Sequence, residues 1–142
     1  MLQRMKLVGG RLAPDGETGN LFVYVNPDEH ERKYLAETLK LDEHTLTSAL
    51  DPDELARLEF EPDHVAIISK RPRNYSSADT FVFRVASIGL FLFAERLVIV
   101  LSEDVALFQG KQFAKIASLQ DLVLKVIYSS IAHFVEHLKV IN

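Results

Sequence analysis

Residues 80–103, TFVFRVASIGLFLFAERLVIVLSE, constrain the fold more than any other part of the chain. They contain three apolar stretches of strand length, 81–86, 88–94 and 97–101. Each is rich in Phe, Val, Ile or Leu, residues that pack well on a pleated surface. The second and third are separated only by Glu95-Arg96, which predicts a tight hairpin. Inside the stretches apolar and polar residues scarcely alternate, so neither face of these strands is expected to be wet. Helices must lie above and below them. A membrane span is the competing reading, and it fails on length and charge. Residues 85–101 number 17, short of the roughly 20 a spanning helix needs. Glu95 and Arg96 also fall within them, where a charge in lipid costs about 2.5–3.5 kcal/mol.

A chain of 142 residues, 48% hydrophobic and 25% charged, is sized and composed for one globular domain. Without cysteine it has no disulfide, thiolate metal site or cysteine nucleophile. The N-terminus lacks the apolar stretch of a signal peptide. The net charge of −4 is unevenly spread. Residues 1–64 hold 14 acids and 7 bases, whereas residues 65–142 hold 6 acids and 9 bases. With an acidic first half and no basic stripe bearing interleaved aromatics, nucleic acid is not an expected partner. The one basic cluster, Lys70-Arg71-Pro72-Arg73, reads as a solvated loop after a strand.

In chain order, residues 6–12 and 21–26 read as two strands flanking a loop dense in turn residues. Asn26, Pro27 and Glu29 fit the N-cap, first position and capping acid of a helix running to about Leu41. Asp42 opens a short helix with Leu46, Ala49 and Leu50 inward. Asp51-Pro52-Asp53-Glu54 repeats the cap–proline–acid order and reads as the start of a third. Leu58 and Phe60 alternate with Glu59 and Glu61, as an edge strand would, and residues 64–70 form a buried strand. A loop covers residues 71–79, and a short helix lies near residues 111–117. Ser118, with Asp121 three residues on, caps a long helix whose apolar stripe still runs at Ile141, so the chain is expected to continue past Asn142.

Few groups suggest chemistry. His133-Phe-Val-Glu136-His137 matches a zinc-protease pattern, but only five residues follow for a third ligand. Polar flanks of an amphipathic helix explain it better. Asp51, Asp53 and Glu54, with Asp42 and Glu43, could hold a hard cation, although helix capping accounts for most of them. His30, His44 and His64 share no spacing and read as surface residues. No nucleotide fingerprint, nucleophile elbow or triad signature is present. No catalytic, cofactor-binding or metal-ligating residue is therefore assigned, and an enzyme is not expected.

Two strands, capped acidic helices, an alternating strand leading into a buried one, a hairpin and a long helix together resemble the cytoplasmic N-terminal domain of the CorA family of magnesium transporters. The resemblance is best over residues 35–68, where residues 46–50 match a family helix. Leu58-Glu59-Phe60 matches a strand start and residues 64–68 a buried strand. Residues 85–103 resemble the family's hairpin, and residues 126–142 its first helix beyond the sheet. The family's Gly-Met-Asn would lie past Asn142. Where relatives carry an acid of the regulatory magnesium site this chain has Ser48, preceded by Thr47. Acids of the long helix are replaced by Tyr128, Ala132 and His133, and Leu55-Ala56-Arg57 stands for an Arg-Pro-Lys element.

The resemblance implies an α/β domain of α+β type, a three-layer α/β/α sandwich around a mixed, mostly buried sheet. It implies the cytoplasmic side of an inner-membrane pentamer, packed against its own and neighbouring stalk helices, with gating by weakly held Mg2+ or another divalent cation. No cofactor would be tightly bound. The alternative is a free-standing soluble α/β binding or scaffold module without a transport role.

Overall fold

A computed structural model describes residues 1–72 and 85–141, apart from the side chains at 137, 140 and 141. Seven strands form one sheet: β1 (Leu2–Val8), β2 (Arg11–Pro14), β3 (Leu21–Val25), β4 (Arg57–Phe60), β5 (His64–Pro72), β6 (Val85–Phe93) and β7 (Leu97–Leu101). Their spatial order is β2-β1-β3-β7-β6-β5-β4. The β3–β7 pair is parallel and the other neighbours are antiparallel, so the sheet is mixed. Helices α1 (Glu29–Glu37) and α2 (Glu43–Leu50) connect β3 to β4, and α3 (Leu119–Ile141) follows the sheet.

The period-two rule explains the two cores. Leu21, Val23, Leu90, Leu97 and Ile99 point to one face, where Leu122, Val123 and Val126 of α3 meet them. Tyr24, Phe91, Val98 and Val100 point to the other, against Leu35 of α1 and Leu46 and Ala49 of α2. Every residue of β7 is buried, as expected of a strand without alternation. The three layers are those the central run demanded.

Several boundaries move, each for a physical reason. Residues 6–12 are not one strand: Gly9 and Gly10 adopt φ of 59° and 81°, which glycine reaches without penalty, and the chain reverses there from β1 into β2. The first helix is capped by Asp28, not Asn26. Asp28 Oδ1 accepts from the Glu31 amide at 2.8 Å, while Glu31 Oε1 accepts from the Asp28 amide. Asn26 instead takes a left-handed φ of 44° that turns the chain into the helix. That helix stops at Glu37, and Lys40 (φ 60°) redirects the chain before Leu41.

Asp51-Pro52-Asp53-Glu54 forms a turn and not a helix, closed by the Glu54 amide on the Asp51 carbonyl. Near 111–117 only a 3-10 turn over Lys111–Phe113 forms. The hairpin tip shifts by one residue, to Ala94-Glu95, because the Phe93 amide donates to the Arg96 carbonyl at 2.9 Å. Lys70 and Arg71 are not on a solvated loop; both belong to β5, and Arg71 is buried. The apolar stretch 81–86 lies mostly outside the described residues, and of the loop expected over residues 71–79 only Arg71 and Pro72 are described, both in β5. The end of that apolar stretch merges with 88–94 into β6, because Ser87 between them sits inside the strand and is buried. Ser118 does cap α3: its Oγ accepts from the Asp121 amide at 3.1 Å. Among the described residues no helix is long and apolar enough to cross a membrane.

Candidate functional site

The acidic cluster is organised around a lysine. Asp42 is the N-cap of α2, its Oδ2 accepting from the Thr45 amide at 3.0 Å, and that bond holds its carboxyl below the usual carboxylate range. Asp51 ends the same helix and accepts the Asp53 amide on Oδ1 at 2.9 Å. Lys70 Nζ donates to the carbonyls of Asp51 and Pro52 and to Ser87 Oγ, and Ser87 Oγ donates to the Asp51 carbonyl at 2.7 Å. Burial lowers the Lys70 pKa, opposed by the charges of Asp51, Glu54 and Asp53. The hydrogen bonds of the ammonium go to carbonyls and a hydroxyl, and the acids act on it only through their nearby charge. Among the described residues no group of three or more His, Asp or Glu is placed to hold a metal ion.

Ser48 is wholly enclosed. Its hydroxyl donates to the His44 carbonyl at 2.9 Å and accepts from Arg57 Nη2 at 2.6 Å. Arg57 Nε stands 3.4 Å from Glu59 Oε1, and the Thr45 hydroxyl lies 3.1 Å from both Asp42 Oδ2 and Glu59 Oε2. A polar chain therefore runs from the start of α2 to β4. Sequence reasoning did not find it, because its members are 14 residues apart and only the β4–α2 contact unites them.

Of the zinc-protease pattern, the structure describes the side chains of His133 and Glu136. His133 Nε2 lies 3.4 Å from Arg71 Nη2, and a guanidinium at a ring nitrogen is a poor neighbour for a cation. Arg71 also donates to the Ala106 carbonyl at 3.0 Å, while its Nε and Nη1 have no hydrogen-bond partner among the described residues. Burial pushes its pKa down. His133, Ala132 and Glu136 line a cavity of about 360 Å³ together with Ser129 of the same helix and Gln109, Gly110 and Gln112 of the preceding loop. His137 is outside the described side chains.

One histidine was misread. His64 is buried, stacked on Phe93 at 4.7 Å between ring centroids, with Nδ1 2.6 Å from Asp63 Oδ1. Its place on an inward position of β5 was the available signal.

On α3 a second apolar stripe faces outward. Leu124, Tyr128, Ile131, Val135 and Leu138, spaced 4-3-4-3, are each 45–65% exposed. They lie on the side opposite Leu122, Val123 and Val126, so the helix is apolar on two sides.

No family model matches the chain, and no curated protein matches it in sequence. Solved structures do match in shape. The cytoplasmic domain of ZntB from Vibrio parahaemolyticus aligns at TM-score 0.70 and 14% identity, covering 96% of this chain and 60% of that one. The soluble domain of CorA from Methanocaldococcus jannaschii aligns at 0.57 and 17% over 96% of this chain and 60% of that one. Full-length CmaX aligns at 0.64 and 12%, covering 90% of this chain and 44% of that one. The chain thus spans about three-fifths of the soluble domains it matches and under half of the full-length CmaX structure. Three layers, one parallel pair inside an otherwise antiparallel sheet and a long closing helix give this chain the fold of the CorA soluble domain and the ZntB cytoplasmic domain.

Proposed function

We propose that the chain is the soluble domain of a CorA-like divalent cation transporter, on the cytoplasmic side of the cell membrane. The observation that carries this reading is the ZntB alignment, which spans nearly all of this chain. The complete structure of the CorA magnesium transporter from Methanocaldococcus jannaschii also aligns, at TM-score 0.56 and 16% identity, and supports the transporter reading. We further propose that residues 1–142 act as one domain that continues into a stalk and membrane helices, and that five copies assemble through those parts. The outward stripe of α3 fits this role: a helix apolar on two sides is stable when a second helix covers the free one. That helix is the stalk of the same or a neighbouring subunit.

Ion-dependent gating needs a different arrangement from the family's. At Ser48 the hydroxyl is buried, donates to the His44 carbonyl and accepts from the cationic Arg57, and Tyr128 and Ala132 carry no carboxylate. In this reading the domain contributes packing, and any Mg2+ or related ion binds weakly.

Two experiments test this. The reading frame beyond codon 142 should encode two apolar segments of roughly 20 residues with Gly-Met-Asn between them; a stop codon there leaves a free-standing α/β module. Isothermal titration with magnesium, cobalt and zinc should show nothing tighter than millimolar. A tighter isotherm abolished by Asp51→Ala would restore ion sensing to this domain.

A further inference from the structure

Among the described residues the sheet has two edge strands, β2 and β4, and β4 is the one that closes the β5–β6 end. Its register with β5 pairs Arg57 with Ile68 and Phe60 with Val65, and the Glu61 amide donates to the His64 carbonyl at 2.9 Å. In an antiparallel ladder hydrogen-bonded pairs alternate, so Glu59 and Arg57 also spend their amides and carbonyls on β5. Leu58 and Phe60, and Ala56 just before the strand, therefore direct theirs outward. Among the described residues no strand lies beyond β4.

β4 is only four residues long and carries two charges, so its edge is short but not blocked along its backbone. It contains no proline and no lysine. Its two charges lie on the α2 face, where Arg57 donates to Ser48 and Glu59 lies by the Thr45 hydroxyl. Leu58 and Phe60, on the α3 face, are 54% and 79% exposed.

We infer that β4 pairs antiparallel with β4 of a second copy of this chain, with Leu58 opposite its own counterpart on the two-fold axis. Charge selects that register. Sliding by two residues one way sets Glu59 against Glu59, and the other way sets Arg57 against Arg57. Only the Leu58-centred register places each Arg57 opposite the other chain's Glu59, an opposite-charge cross-strand pair. It also matches outward amides to outward carbonyls, at Leu58 with Leu58 and at Phe60 with Ala56. The apolar side chains of Leu58 and Phe60 from both copies then form one continuous row. The contact is isologous and cannot by itself build a five-fold ring, so it is separate from the assembly proposed above.

Sedimentation of the 142-residue chain over a wide concentration range should show a monomer–dimer equilibrium. Leu58→Pro removes an outward amide without touching the β5 ladder and should abolish the dimer. Phe60→Lys should weaken it at least about tenfold, which is a loss of about 1.4 kcal/mol. Ile131→Glu, on α3, should leave it intact. Amide exchange supplies a readout that needs no variant: the Leu58 and Phe60 amides should slow as concentration rises, while Glu59 is protected throughout. A chain that stays monomeric to millimolar concentration would overturn the inference. So would a dimer indifferent to Leu58→Pro, one lost in Ile131→Glu, or Leu58 and Phe60 amides whose exchange ignores concentration.

Discussion

The α1/α2 layer and the α3 layer cover opposite faces of the same sheet, and they finish the task differently. On the α2 face the polar ends are closed within the chain. Asp28 and Asp42 cap the helices, and Lys70 with Ser87 ties down the carbonyls where α2 ends. Arg57 and Glu59 seal the side of α2. On the α3 face one long helix buries Leu122, Val123 and Val126 and leaves a second apolar side in water. The difference teaches that a layer with its polar groups turned inward and a layer with an open apolar side can share a sheet. The α1/α2 layer turns its polar groups inward, and the α3 layer keeps an apolar side exposed.

The largest effect should come from the buried side of α3. Leu122→Ala removes a side chain with no exposed area and should cost about 2–5 kcal/mol in denaturant unfolding. A loss of only a few tenths would mean that α3 is not firmly docked. On the α2 face, Gly89 permits a close approach: a Cβ there would meet Ala49 Cβ at 2.6 Å and Phe91 Cε2 at 2.8 Å. Gly89→Ala should therefore cost about 1–3 kcal/mol by overpacking, read as a lowered Tm.

Asp42→Ala should cost about 1 kcal/mol near neutral pH through the lost cap. Its carboxyl is depressed in the folded chain, so its contribution is present above the ordinary carboxylate range. It disappears as pH falls through the folded value, and the stabilities of the two proteins should converge in acid. Parallel pH curves would show that the cap is not what holds α2. The smallest effect should be Ile131→Lys on the outward side of α3, within about 0.5 kcal/mol for the isolated chain. A large loss there would mean that both sides of α3 are engaged and would erase the contrast.

Much of the fold was legible because periodicity is a local property. The unbroken apolar run of β7 required cover on both faces, and the inward spacing of Leu46, Ala49 and Leu50 required a helix. Turns were legible where a residue type was decisive and misread where it was shared. Gly9-Gly10 reverses the chain inside what reads as one strand, and Asp51-Pro52 resembles a helix start although the chain only turns there.

The candidate site was less legible, since its members meet only through pairings distant in sequence. Lys70 and Arg71 look like a solvated pair on paper. Strand pairing of β5 with β6 carries Lys70 to Ser87 and the Asp51 carbonyl, and carries Arg71 into the interior near Ala106. The sequence alone determined the central hairpin, the long closing helix and the need for two covering layers, because each follows from the spacing of apolar residues along one segment. Which polar groups are satisfied, which apolar side of α3 stays open and which strands form the edges of the sheet were decided only in three dimensions. Burial and hydrogen bonding there depend on neighbours that the order of residues does not bring together.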